Sequence, residues 1–314
     1  MYSPYLCGRR SELLALRNLK SENVDFEKFV PVVEPVLENT GDLLRFIDTY
    51  GREGIRAVII MNPNRHQYKG GAGVAGNLRK DLADSFAKYT DLIPGFIWDA
   101  KTNIAQASAF QKIYSDRQVA FLLDSPVISD ADLKSIAHSP ETVFVFSLSS
   151  SVGKKQLALI PKSKIVSIRD GFKKLPRNAD YNGVEFFSDQ HQLVGKDFAG
   201  VGDYTITGKA LEIGGGKPGA VAIHASFRPN GKDEAWIEHF VSDEIDRDVG
   251  DAASKFLEAA KKLVRAAKKR PAEFVTNTAL DAYRKHVAED TFPGLGKNKE
   301  YQIRHHIVQM LALL

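Results

Sequence analysis

Seven short apolar runs, each closed by polar or turn-forming residues, occupy the chain up to Ile168. They are Tyr2 to Leu6, Phe29 to Val36, Arg56 to Met61, Leu92 to Trp98, Val119 to Leu123, Thr142 to Phe146 and Lys164 to Ile168. Between most of them lie stretches with helical periodicity. Leu13, Leu14 and Leu16 share a helix face behind Ser11, a good N-cap, and GDLLRFIDTYG stops at a glycine. LRKDLADSFAKY, TNIAQASAFQKIY and SDADLKSIA follow the next three runs. Each strand with its connection takes roughly 25 to 30 residues, the size of a βα unit. Near-continuous apolar strands alternating with helices specify a parallel sheet buried on both faces. So many units in series, with no dinucleotide fingerprint, favour a closed α/β barrel, (β/α)8 and TIM-like, over an open doubly wound sheet. The eighth strand is expected at Tyr204 to Thr207 or, better, at Ala220 to Ser226.

The stretch from Ile165 to Gly208 breaks this rhythm. After its opening strand it has no helical period, yet it is rich in aromatics: Phe172, Tyr181, Phe186, Phe187, Phe198 and Tyr204. Disordered segments are poor in such residues, so it reads as a long ordered loop after strand seven. Next, Ala220 to Arg228 and Ala235 to Val241 flank Pro229-Asn230-Gly231-Lys232, a hairpin signal. Helices are expected from Val249 to Lys269, over TALDAYRKHVAE and over YQIRHHIVQMLALL. The expected division is a barrel with its hairpin over 1–248 and C-terminal helices over 249–314, packed on the barrel or on a partner.

The composition excludes several classes. With 26% charged residues and no apolar run near the roughly 20 residues that span a bilayer, no membrane segment is expected. One cysteine rules out an internal disulfide, and the cytoplasm is the expected compartment. A net charge of +4 permits nucleic-acid contact without predicting it.

Barrel enzymes build their sites at the C-terminal ends of the strands. Those ends carry Arg9, Arg10, Glu34, Asn62, Asp99, Asp124, Ser147, Arg169 and Asp170, with His224 added if Ala220 to Ser226 is a barrel strand. Glu34, Asp99, Asp124 and Asp170 are the candidate catalytic carboxylates. With the arginines they suit Mg²⁺ or Mn²⁺ and a phosphoryl group, since hard oxygens hold the metal and guanidinium forks match phosphate. Asp and Asn after a strand are equally ordinary turn and cap residues. Arg177, Asn178, Tyr181, Glu185, His191, Asp203 and Tyr204, on the long loop, complete the candidate ligand-binding set as a lid or docking surface.

Other features weigh less. The glycine-rich Gly70 to Gly76 lacks the Lys-Ser/Thr ending of a P-loop and reads as a connection, and Gly214 to Lys217 reads as a turn. His224 and His239 sit on the two hairpin arms, where they form either an acid–base or metal cluster with Glu185 or Asp243, or a hydrogen-bonded structural pair. Cys7 reads as a packed thiol.

The segments YSPYL, GRR-x-ELLAL, VVEPV, MNP, RNADY, EFFSDQH, GVGDYTITG, AVAIHASF and IEHFVSD, in that order, resemble an uncharacterised bacterial family related to the phage beta-protein group. The resemblance covers nearly the whole chain and is densest from Arg177 to Asp243. It implies a two-protein antiphage system in which this chain recognises or scaffolds and a neighbouring nuclease-like protein cuts. It supplies no catalytic residues. The alternative expectation is that the chain itself is a metal-dependent phosphodiesterase or nucleotide hydrolase, with a nucleic acid or nucleotide as its ligand.

Overall fold

The computed structural model describes residues 1–69, 72–148, 152–214 and 216–314, with backbone alone at 72–75. Gly70 and Gly71 of the glycine-rich connection, the serine cluster Ser149, Ser150 and Ser151, and Gly215 lie outside the described residues. The strands are β1 (Tyr5–Leu6), β2 (Val32–Val33), β3 (Ala57–Ile60), β4 (Leu92–Trp98), β5 (Val119–Leu123) and β6 (Thr142–Ser147), then β7 (Ile165–Arg169), β8 (Val184–Ser188), β9 (Gly200–Asp203), β10 (Ala222–Phe227) and β11 (Ala235–Val241). The helices are α1 (Arg10–Asn18), α2 (Gly41–Arg52), α3 (Ala72–Lys88), α4 (Ile104–Ile113), α5 (Asp130–His138), α6 (Lys154–Leu157), α7 (Ala252–Lys269), α8 (Thr278–Glu289) and α9 (Leu295–Leu311). None is long and apolar enough to cross a membrane. Contacts divide the chain into two compact units.

The first unit comprises Met1–Leu13, Phe26–Arg169 and Gln190–Tyr204. Its sheet runs β1-β2-β3-β4-β5-β6-β7-β9, and the successive pairs are parallel. Tyr2 bridges to both Phe29 and Val201, so the first and last strands meet and the sheet closes into the expected (β/α)8 barrel. Alternate strand residues fill its interior, among them Val32, Val58, Ile60, Ile97, Leu122, Phe146, Val166 and Ile168. Burial of such β-branched and aromatic side chains is what the apolar runs encode.

The eighth strand is neither of the segments expected. It is Gly200–Asp203, inside the stretch read as loop, and Ala222–Phe227 belongs to the other unit. The sequence GVGD carries little strand propensity because the closure leaves no room for side chains. A Cβ at Gly202 would lie 1.9 Å from the Ser3 carbonyl oxygen, and one at Gly200 2.8 Å from that of Met1. Glycine here permits close backbone approach, at the expense of the usual strand signal.

The second unit comprises Leu14–Asp25, Asp170–Asp189 and Thr205–Leu314. Its antiparallel sheet has the order β10-β11-β8, so the expected hairpin gains a third strand from the long aromatic segment. Ile223, Ala225 and Phe227 join Phe256, Leu263, Leu280 and Tyr283 of α7 and α8 in one core. The free edge of β10 is satisfied by α9. The Gln302 side chain accepts from the His224 backbone N–H at 3.0 Å, and His305 Nε2 lies 2.8 Å from the Ser226 carbonyl. Helix α9 thus replaces a neighbouring strand with side chains, which protects an edge that would otherwise recruit other chains. It is buried from Gln302 to Leu311, so these residues are covered within their own chain.

Candidate functional site

Glu34 follows β2 in phase with Val30 and Val32, so alternation turns it inward at the C-terminal mouth of the barrel. It is 0% exposed. Tyr5 Oη donates to Glu34 Oε2 at 2.6 Å, Arg65 Nε approaches the same oxygen at 2.9 Å, and the Asn64 N–H donates to Oε1 at 3.4 Å. Burial raises the proton affinity of Glu34; Arg65, Tyr5 and Asn64 oppose that, and Asp124 adds to it. Arg65 also donates to Cys7 Sγ at 3.7 Å and stacks its guanidinium 5.6 Å from the centre of the Tyr5 ring, which packs on Tyr204 at 5.1 Å. Burial and the nearby Glu12 push the Cys7 thiol up to about 12, which leaves it a protonated, packed group.

The backbone of this rim is unusual. His66 has a φ of 49° and Ser125 one of 55°, and they directly follow Arg65 and Asp124. Non-glycine residues rarely occupy the left-handed region, and such strain concentrates at functional sites. Gly8, with φ 53°, follows Cys7, and a Cβ there would come within 2.9 Å of the Glu34 carbonyl oxygen.

The other rim candidates in the first unit hold varied roles. Asn62 clamps the Ile97 backbone, donating to its carbonyl at 2.9 Å and accepting from its N–H at 2.8 Å. Asp99 Oδ1 accepts from the Lys101 N–H at 2.8 Å and from Thr102 Oγ1 at 3.0 Å, a turn arrangement, while Asn64 Nδ2 reaches its other oxygen at 3.4 Å. Asn62, Asn64, Lys69, Asp99 and Lys101 line an opening of about 660 Å³ beside the strand ends. Asp124 is half-buried, with its charge felt at Glu34. Arg9 pairs with Glu12 at 3.0 Å, and Arg10 is exposed at the start of α1. Tyr2 Oη donates to both oxygens of the buried Asp203, at 2.9 and 3.0 Å. Ser147, at the end of β6, and His191, on a single turn from Gln190 to Leu193, are buried. Arg169 lies out of phase with the inward Val166 and Ile168 and lines a groove described below.

The remaining candidates lie in the second unit. Asp170 accepts from the Lys209 N–H at 3.0 Å, Arg177 pairs with Asp180, and Asn178 Nδ2 donates to the Ala220 carbonyl at 3.0 Å. These contacts fold the loop itself. His224 and His239 are directly opposed in the β10–β11 register, their Nδ1 atoms 2.8 Å apart. His239 Nε2 lies 3.3 Å from Glu185 Oε1, and the rings of Phe172 and Tyr181 wall the pair, with Tyr181 4.5 Å from His224. One Nδ1 must carry the shared proton and the other accept it, so the two rings cannot both be protonated in this arrangement. Burial lowers His239 to about 4 and holds His224 well below the ordinary 6.5, the latter lowered also by Lys299 and His239. Glu185 is raised, chiefly by burial.

Among the described residues no three or more His, Cys, Asp or Glu side chains gather as metal donors. Glu34 is instead committed to Arg65 and Tyr5, and Asp99 to its own turn. Arg65 and Tyr5 escaped sequence reading. Arg65 stands in the connection after the third strand, and only the fold brings it to Glu34; its signal was a lone arginine in the polar NPNRHQ. No protein-family model and no curated protein sequence matches the chain.

Proposed function

We propose that this chain is the recognition subunit of a two-protein antiphage system, binding a polar ligand at the C-terminal rim of its barrel while a neighbouring nuclease-like protein carries the cleavage chemistry. The observation that carries the ligand site is the Glu34–Arg65–Tyr5 network. It is a buried ion pair with every partner of the carboxylate in place, bordered by two strained non-glycine residues. Fixed charge of this kind orients a ligand at little reorganisation. The side chain of Arg65 is 18% exposed, and a guanidinium at the rim suits an anionic group, as in a nucleotide or nucleic acid. The partner and the defence role rest on the sequence resemblance alone. Copurification tests them: the tagged chain retains the neighbouring gene product through gel filtration, and neither protein protects cells from phage by itself. A chain that elutes alone and protects fully without that partner would sink the proposal.

A second reading is favoured by one observation, the raised proton affinity of Glu34 at the place where barrel enzymes keep their acids and bases. On that reading the chain hydrolyses phosphodiesters or nucleotides with Mg²⁺ or Mn²⁺. With Asp99 tied into its own turn and no three carboxylates, histidines or cysteines gathered among the described residues, the donor set for such a metal is poor. Hydrolysis of nucleotides or nucleic acid by the isolated chain with either metal, abolished in Glu34→Gln, would establish it over the first.

A further inference from the structure

The barrel of the first unit carries a second opening on its outer face. Outward strand residues of a (β/α)8 barrel are normally covered by full helices. Here α6 is a single turn, and the residues of this unit that lead into β9 add only the short turn Gln190–Leu193. An open groove of about 810 Å³ results, with Ile165 of β7 in its lining beside Leu157, Ile160, Leu193 and Phe198. Small-molecule sites span roughly 300 to 1,000 Å³.

Arg169 lines the same groove. Val166 and Ile168 point into the barrel, so Ile165 and Arg169 share the outer face of β7. The charges of the lining are unbalanced: Arg169, Lys154 and Lys162 against Asp197. Lys162 Nζ donates to the Lys196 carbonyl at 3.1 Å, whereas Lys154 and Arg169 make no ion pair among the described residues. Apolar walls offer nothing to read a sugar or a base edge, and a guanidinium fork matches a planar carboxylate or a phosphoryl group.

We propose that this groove binds an aliphatic anion, its alkyl chain laid against Leu157, Ile160, Leu193 and Phe198 and its terminal carboxylate or phosphate on Arg169. The site is independent of the rim.

Titrating the full-length chain with cis-parinaric acid, whose emission rises in apolar surroundings, tests it. Saturable binding is expected, competed by palmitate or hexadecyl phosphate, and the better competitor identifies the head group. Hexadecanol, which lacks the charge, should compete at least about tenfold less well, because a charge-assisted hydrogen bond is lost. Arg169→Gln should weaken binding by about the same factor, and Leu157→Asp, a half-buried position, should remove it. No saturable signal, competition by hexadecanol equal to that by palmitate, or unchanged affinity in Arg169→Gln would overturn the proposal.

Discussion

At the scale of single residues, the Glu34–Arg65 pair makes the sharpest demand. Removing one partner of a buried ion pair leaves the other charge uncompensated, which costs about 3–5 kcal/mol. Arg65→Ala should therefore lower the urea midpoint by that equivalent. Glu34→Gln likewise strips Arg65 of its counter-charge and should cost nearly as much, whereas Glu34→Gln combined with Arg65→Met, which removes both charges, should cost far less than the two losses added; strictly additive losses would mean that packing and not charge pairing holds the rim. Cys7 gives a second residue-level test. With its thiol pushed up to about 12 by burial, it should stay unreactive to Ellman's reagent at pH 8 in the folded protein and react fully in urea. Glu34 was legible in the sequence because a carboxylate inside an apolar run has no cheap explanation. Asn62 and Asp99 were legible only as polar strand ends. Whether such a residue binds a ligand or ties its own backbone depends on neighbours that spacing does not reveal, and here Asn62 clamps Ile97 and Asp99 closes a turn.

At the scale of elements, two short pieces decide the architecture. Strand β9 closes the barrel only because Gly200 and Gly202 admit the N-terminal strand. Gly202→Ala should destabilise by more than about 3 kcal/mol or abolish folding, since the clash is with backbone. Gly153→Ala, whose added Cβ meets nothing within 4 Å, should leave the melting temperature nearly unchanged. The same glycines hid β9 from sequence reading, which looks for branched apolar residues in alternation. Helix α9 is the other piece. Gln302→Ala should leave the His224 N–H unpaired at a cost of about 1–3 kcal/mol, and hydrogen exchange at that amide should accelerate accordingly. An unchanged exchange rate would show that α9 does not guard the edge of β10.

At the scale of the whole molecule, the barrel was readable because each βα unit is local in sequence, so pattern and structure coincide. Of the second unit, the hairpin and the helices α7, α8 and α9 were readable for the same reason, but its third strand was not, because Val184–Ser188 pairs with a hairpin strand far along the chain and the unit draws on three separated segments. The two units should also answer acid differently. His224, His239 and His305 are all held below the ordinary 6.5 by burial, His239 and His305 at about 4. The folded state keeps them neutral while the unfolded chain takes up protons near 6.5. Their contribution is present above that pH and is lost as pH falls towards 4, by roughly 3 kcal/mol for a histidine shifted that far. Glu34 acts in the opposite sense, because a raised carboxylate favours the folded barrel as pH falls. The chain has two tryptophans, Trp98 in the first unit and Trp236 in the second. In Trp98→Phe the remaining emission should report unfolding between pH 6.5 and 4, ahead of the signal left in Trp236→Phe. Coincident transitions would contradict separate acid sensitivities. The central claim, that the barrel rim is a recognition site needed for defence, is tested most directly by phage plaquing on cells that express Glu34→Gln with the neighbouring gene product. Protection reduced at least about tenfold while the two proteins still copurify is the predicted result; full protection by that variant would contradict it.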